Sequence, residues 1–225
     1  TEQYIGNWLS KRSDRDDIVL ASKVASRADW VDYMRDGNIC LDKKNIETAL
    51  NQSLQRLQTD YIDLYQLHWP DRNTNYFGKR GFNELSEETY IPIEETLSVL
   101  DEIVASGKVR HIGISNETPW GSMQYLNIAE KNTWPRIASI QNPYNLLNRS
   151  YEIGLSEISF RENIGLLAYS PLGFGALSGK YLQGDRPSGA RMTLFERFSR
   201  YNSANAEVAI EKYVKLARQH DLEPT

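Results

Sequence analysis

The sequence predicts an α/β fold, a parallel (β/α)8 barrel of the TIM type of which this chain holds about five of the eight strands. Three observations point there. Short β-rich runs alternate with longer segments of helical period, and crossovers of that length between strands make a parallel sheet. The Gly-x-Gly-x-x-Gly fingerprint of an open dinucleotide-binding sheet does not follow the first strand. The nearest match, Gly173-Phe174-Gly175-Ala176-Leu177-Ser178-Gly179, has a different spacing and follows the fifth. Instead, Lys23, His68, the Ser115-Asn116 pair, Gln141 and the Tyr169-Ser170 pair each end a different strand, as in a barrel that gathers its chemistry at the carboxyl ends of its strands. A closed barrel takes about 250 residues, so residues 1–225 read as a single, partial barrel domain.

In chain order, residues 1–9 form an amphipathic helix with Tyr4, Ile5, Trp8 and Leu9 on its inward side. The first strand spans Asp17 to Lys23. Asp42 then caps a helix whose Ile46, Leu50, Leu54 and Leu57 fall on one face. The second strand, Tyr61 to His68, precedes a polar, aromatic insertion from Trp69 to about Tyr90. A helix follows with Pro92 in its first turn, Ile93, Leu97, Leu100 and Val104 inward, and Gly107 as its stop. The third strand is Val109 to Ser115, and a helix over about Thr118 to Lys131 returns the chain to the fourth, Arg136 to Gln141. The fifth is Ile164 to Tyr169. A long Gly/Pro/Arg loop, about Ser170 to Ser203, leads to a last helix carrying Val208, Ile210, Tyr213, Val214 and Ala217.

Composition narrows the function classes. The net charge is −4, and no basic run offers a footprint for a phosphate backbone, which argues against nucleic acid. No stretch approaches the roughly 18 apolar residues of a membrane span. A lone cysteine, Cys40, makes no internal disulfide and fits a cytoplasmic location; it reads as a loop thiol and supplies no metal site.

Lys23 ends an otherwise apolar run where a barrel residue points into the mouth, although a solvated strand-end lysine looks the same. His68 ends the next strand, and alone it is equally a core histidine bonded to a carbonyl. Together they say more. A close ammonium stabilises phenolate, so an inward lysine and histidine at adjacent strand ends can hold a phenol acid near the working pH.

The runs Arg56 to Pro70, Ile112-Gly113-Ile114-Ser115-Asn116, Gln141-Asn142-Pro143-Tyr144-Asn145 and Tyr169-Ser170-Pro171-Leu172 resemble the aldo-keto reductases, in order and over essentially the whole chain. Gly173 to Tyr181 and Asn145 to Arg149 resemble most the bacterial Tas-type branch. The resemblance implies a (β/α)8 barrel that binds NADPH (cofactor NADP) across its mouth and transfers hydride to an aldehyde or ketone. It implies a tyrosine as proton donor, a lysine matched by Lys23 that tunes it, and a histidine matched by His68 that hydrogen-bonds the substrate oxygen. An aspartate supports the lysine. Ser115, Asn116 and Gln141 match the carboxamide contacts, and Tyr169 the aromatic that stacks on the nicotinamide. Ser170, Leu172 and Gly173 match the turn along the pyrophosphate, and Lys180 and Arg191 the cations that clamp phosphates. Without the resemblance these glycines read as an ordinary loop and the cations as solvated surface. Trp69 and Tyr144 are candidates for lining the substrate pocket, with rim packing as the alternative.

In the family, the aspartate and tyrosine belong to the segment immediately before a helix like residues 1–9, so the expectation is a chain truncated at both ends. Two other readings stand beside the reductase: a cofactor-sensing subunit resembling the potassium-channel β-subunits, and an inactive remnant.

Overall fold

A computed structural model of the chain describes residues 1–78, 81–82 and 89–225. Residues 79–80 and 83–88, within the sequence-predicted insertion, lie outside the described residues. The elements in order are α1 (Glu2–Leu9), β1 (Ala21–Val24), α2 (Lys43–Leu57), β2 (Ile62–Leu67), α3 (Ile93–Ala105), β3 (Val109–Ser115), α4 (Pro119–Asn132), β4 (Ile137–Gln141), α5 (Leu155–Glu162), β5 (Gly165–Leu166), α6 (Arg191–Leu194) and α7 (Ala204–Gln219). The strands form one parallel sheet in sequential order, β1-β2-β3-β4-β5. This is the expected α/β architecture, a β/α barrel of which five strands lie in this chain.

The chain divides into two compact units. The first comprises Thr1–Asn142 and Gly154–Leu167 and contains the whole sheet; the second comprises Pro143–Ile153 and Ala168–Thr225.

In the first unit one face of the sheet carries Val24, Tyr65, Leu67, Ile112, Ile114 and Ile140, all buried. Helix α2 packs on β1 and α3 on β3. Asp42 caps α2 as the sequence predicts, accepting from the Asn45 amide at 2.8 Å. Cys40 lies buried beside it, its sulfur accepting from Asn45 Nδ2. In α3 the inward face is Thr96, Leu97, Val99, Leu100 and Ile103, with Val104 only half-buried.

Three sequence expectations are corrected here. Helix α1 does not present Tyr4 to the core: Tyr4 is 81% exposed and Trp8 also lies largely outside, while Gly6 and Leu9 are buried. The cause is Gly6. A Cβ there would stand 2.2 Å from the Arg56 carbonyl oxygen, so the helix seats on the end of α2 through its glycine, and the aromatic residues turn outward. The first strand begins at Ala21 rather than Asp17, because residues Arg15–Asp17 form a 3-10 turn held by Asp17 N donating to Asp14 O. The fifth strand is only Gly165–Leu166. Helix α5, which supplies the crossover from β4 to β5, escaped the sequence reading; its pattern is short and only Leu155 is buried.

In the second unit, Ala176, Leu177, Tyr181, Tyr201, Ile210 and Val214 form a separate small core, so the long loop after β5 is packed and held by α7. Within it lie several 3-10 turns and the short helix α6.

Candidate active site

Toward the carboxyl ends of the strands the inner face of the sheet is polar. Parallel register aligns Lys23, Gln66, Gly113, Ser139 and Gly165 as successive partners across all five strands. Because side chains alternate along a strand, His68, Ser115 and Gln141 fall on this same face one pleat further on, with Ser115 and Gln141 as direct partners. Lys23 and His68 are therefore brought together at the carboxyl ends of β1 and β2. The His68 amide donates to the Val24 carbonyl at 2.9 Å, which locks the two strand ends to each other.

Electrostatics follow from that placement. Burial, with the Lys23 ammonium as a second cause, pushes the His68 imidazole down to about 4. Near pH 7 it is neutral, able to donate from one ring nitrogen and accept at the other. Burial also pushes the Lys23 ammonium below its ordinary value.

Ser115, Asn116 and Gln141 also assemble, but much of their hydrogen bonding is internal. Ser115 Oγ donates to the Gln141 carbonyl at 2.7 Å. Asn116 Nδ2 donates to the His68 carbonyl at 2.9 Å and to Ser115 Oγ at 3.1 Å. Asn116 adopts a left-handed backbone, φ 55°, which asparagine tolerates better than most residues. These bonds tie the ends of β2, β3 and β4 into one rim.

Two carboxylates that sequence reasoning missed brace that rim. Asp71, buried, accepts from Ser26 Oγ at 2.8 Å and from the Ile91 amide at 2.8 Å, joining the loops that leave β1 and β2. Glu117, also buried, is clasped by the Arg72 guanidinium, while its carbonyl receives Asn142 Nδ2 at 3.0 Å. Their signal was position alone: each lies within three residues of a strand-end residue already singled out. Trp69 is 2% exposed; its indole donates to the Arg27 carbonyl and packs against Trp30, Phe77 and the His68 ring. It backs the histidine, and Trp30, 55% exposed, is the open ring of that cluster.

The second unit holds the remaining candidates. Tyr169 pairs with Pro143 in a parallel bridge, and burial raises its phenol while Arg200, which hydrogen-bonds it, acts in the opposite sense. Ser170 and Gly173 both take left-handed backbone, each with φ 56°, and Gly173 N donates back to Ser170 O at 2.8 Å. Leu172 (φ −94°, ψ 13°) is followed by Gly173, Phe174 and Gly175, all with positive φ, so the chain turns tightly here. Lys180 lies close to Gly175: a Cβ there would stand 2.9 Å from Lys180 Cε and 3.1 Å from its Nζ. Arg191 lies against the Phe198 ring at the start of α6, and Arg200, absent from the sequence reading, lies over Phe174 and Tyr201. Tyr144 donates to Glu152 at 2.7 Å and is half-buried. Among the described residues no cluster of His, Cys, Asp and Glu could hold a metal ion, and no helix is long and apolar enough to cross a membrane.

Comparison with known proteins bears on this geometry. The profile of the Aldo/keto reductase family matches residues 1–225. Over 224 residues the chain is 51% identical to Protein tas of Escherichia coli K12, a match that takes in all of this chain and 65% of that protein. It is 40% identical over 215 residues to an aldo-keto reductase of Babesia bovis, covering 90% of this chain and 75% of the relative. A 30% match over 182 residues to norsolorinic acid reductase B of Aspergillus parasiticus covers 78% of this chain and 42% of the relative. The chain thus spans about two thirds of the length of the Tas protein.

Proposed function

Because this chain belongs to the aldo/keto reductase family, we propose that it is the greater part of an NADPH-dependent oxidoreductase that reduces an aldehyde or ketone to an alcohol. The observation that carries the reading is the pairing of Lys23 with a neutral His68 at adjacent strand ends.

Bound NADPH would supply the hydride. The chain's own residues do the rest. Neutral His68 donates a hydrogen bond to the carbonyl oxygen, which polarises it and fixes its position. The Lys23 ammonium favours the anionic form of a neighbouring acid and so eases proton delivery to that oxygen. Gln141 and Asn116, steadied by Ser115, orient the carboxamide, and Tyr169 stacks on the ring. The Ser170, Leu172 and Gly173 turn would run along the pyrophosphate, where a glycine leaves the backbone open to close approach. Lys180 and Arg191, joined now by Arg200, supply positive charge for phosphates, and a second phosphate on the ribose favours NADPH over NADH. The Trp69 cluster and Tyr144 shape the substrate side.

The test is NADPH consumption by the purified full-length protein across a panel of aldehydes and ketones, with NADPH-induced thermal stabilisation measured alongside. At least one carbonyl is reduced, and Lys23→Met lowers kcat/KM by about 10²- to 10⁴-fold. Stabilisation without turnover on any carbonyl would overturn the reductase in favour of a cofactor-sensing protein, and neither signal would overturn nucleotide binding as well.

A further inference from the structure

Three buried polar atoms beneath the site, Gln66 Oε1, Gln66 Nε2 and Ser139 Oγ, have no hydrogen-bond partner among the described residues. Gln66 is 1% exposed and Ser139 7%. A buried amide left unpaired is costly, so such groups call for an explanation. The register supplies one. Lys23, Gln66, Gly113 and Ser139 are consecutive partners in the ladder, so their side chains stand on one face in one row. In the middle of that row Gly113 has no side chain. A Cβ there would meet Ser139 Oγ at 2.8 Å and Gln66 Cγ at 3.2 Å, so the glycine lets the two polar side chains converge over β3.

We propose that Gln66 is a positioning residue for Lys23: its Oε1 accepts from the Lys23 ammonium on one side while its Nε2 donates to Ser139 Oγ across Gly113 on the other. That arrangement occupies all three orphaned atoms and gives the lysine a partner. A neutral amide favours the ammonium by hydrogen bonding without adding a charge of its own. Burial opposes that charge. The titratable group facing Lys23 from β2 is His68, whose own titration feels the lysine. From α1 and α2, Glu2 and Arg56 pair with each other, and Glu2 accepts from Ser22 on the opposite face. Arg35 acts on Tyr65, also on the opposite face. No carboxylate among the described residues forms an ion pair with Lys23. The inference rests on the reading of Lys23 as the ammonium of the site, and its test is read on the lysine itself.

In full-length protein carrying ¹³Cε-lysine, the Lys23 resonance, assigned by its loss in Lys23→Met, is followed against pH without cofactor. Gln66→Met keeps the shape and removes the hydrogen bond; it lowers the Lys23 midpoint by about one unit, a tenfold change in protonation. Gln66→Glu raises it by a comparable amount, and Gly113→Ala, which drives Ser139 and Gln66 apart, moves it down by less. A midpoint unchanged in both Gln66 variants overturns the proposal; should Gln66→Met fail to fold, an unchanged midpoint in Gln66→Glu and Gly113→Ala does the same. Shifted midpoints in a protein that reduces no carbonyl sustain the role of Gln66 and overturn the reductase reading alone.

Discussion

The two faces of the sheet are built from the same strands, one residue apart, and toward the carboxyl ends of those strands their contents differ sharply. The face toward the helices carries Val24, Tyr65, Leu67, Ile112, Ile114 and Ile140; the inner face carries Lys23, Gln66, His68, Gly113, Ser115, Ser139 and Gln141. Strand alternation therefore separates what holds the sheet together from what does chemistry. Apolar burial and close packing act on one face, while the other is stocked with charges, amides and a glycine that a core would reject. A residue can be altered on the inner face with little consequence for packing on the outer one, and the converse holds.

The largest expected effect tests that separation directly. Ile112 is fully buried on the outer face, so Ile112→Ala deletes apolar contacts and leaves a cavity, a loss of about 2–5 kcal/mol in denaturant unfolding. Its counterpart on the inner face, Lys23→Met, removes a half-buried charge that burial already disfavours, which offsets the donor lost to Gln66 Oε1, and unfolding stability changes by less than about 1 kcal/mol. Equal destabilisation by the two substitutions would break the division.

Next in size is a pH effect that belongs to the inner face. His68 is held at about 4 in the folded protein against an ordinary histidine value near 6.5. The unfolded chain therefore takes up a proton first as pH falls, and stability is lost between about pH 6.5 and 4, on the order of 3 kcal/mol across the window. His68→Gln removes that slope from a series of unfolding curves between pH 7 and 4. The same series on Ile112→Ala keeps the slope while starting from a lower stability. A slope surviving in His68→Gln would place the titration elsewhere.

How much of this was legible in the sequence also divides by face and by unit. The helix-facing residues announce themselves by period, and α2, α3, β3 and α4 begin and end close to where their caps and stops predict. Lys23 and His68 could be read because each stands within one residue of a strand's end. Gln66 could not: inside Tyr65-Gln66-Leu67 it looks like one polar residue in a core strand, and its importance appears only when the register sets it beside Lys23 and over Gly113. Gly6 likewise reads as a neutral helix residue until the close approach of α1 to α2 is seen. In the second unit periodicity gives little. The turn from Ser170 to Gly175 is defined by left-handed backbone at Ser170, Gly173, Phe174 and Gly175, and only the glycines hint at that in sequence. Arg200 meets Tyr169 through the fold of that loop, which no local pattern encodes.

The smallest effect sharpens the comparison furthest, because it acts on the outer layer without touching either face. The Asp42 carboxylate accepts from the Asn45 amide at 2.8 Å and from Asn45 Nδ2 at 2.9 Å, closing the first turn of α2, the helix that packs on β1. Asp42→Ala removes the acceptor of both donors and costs about 1 kcal/mol of unfolding stability. Lys23 lies on the far side of β1 from that helix, so the midpoint of its ¹³Cε titration stays where it is in the unaltered protein. A shift of the lysine on loss of a helix cap would mean that the outer layer sets the geometry of the inner face through the strand, and the two faces would then have to be treated as one mechanical unit.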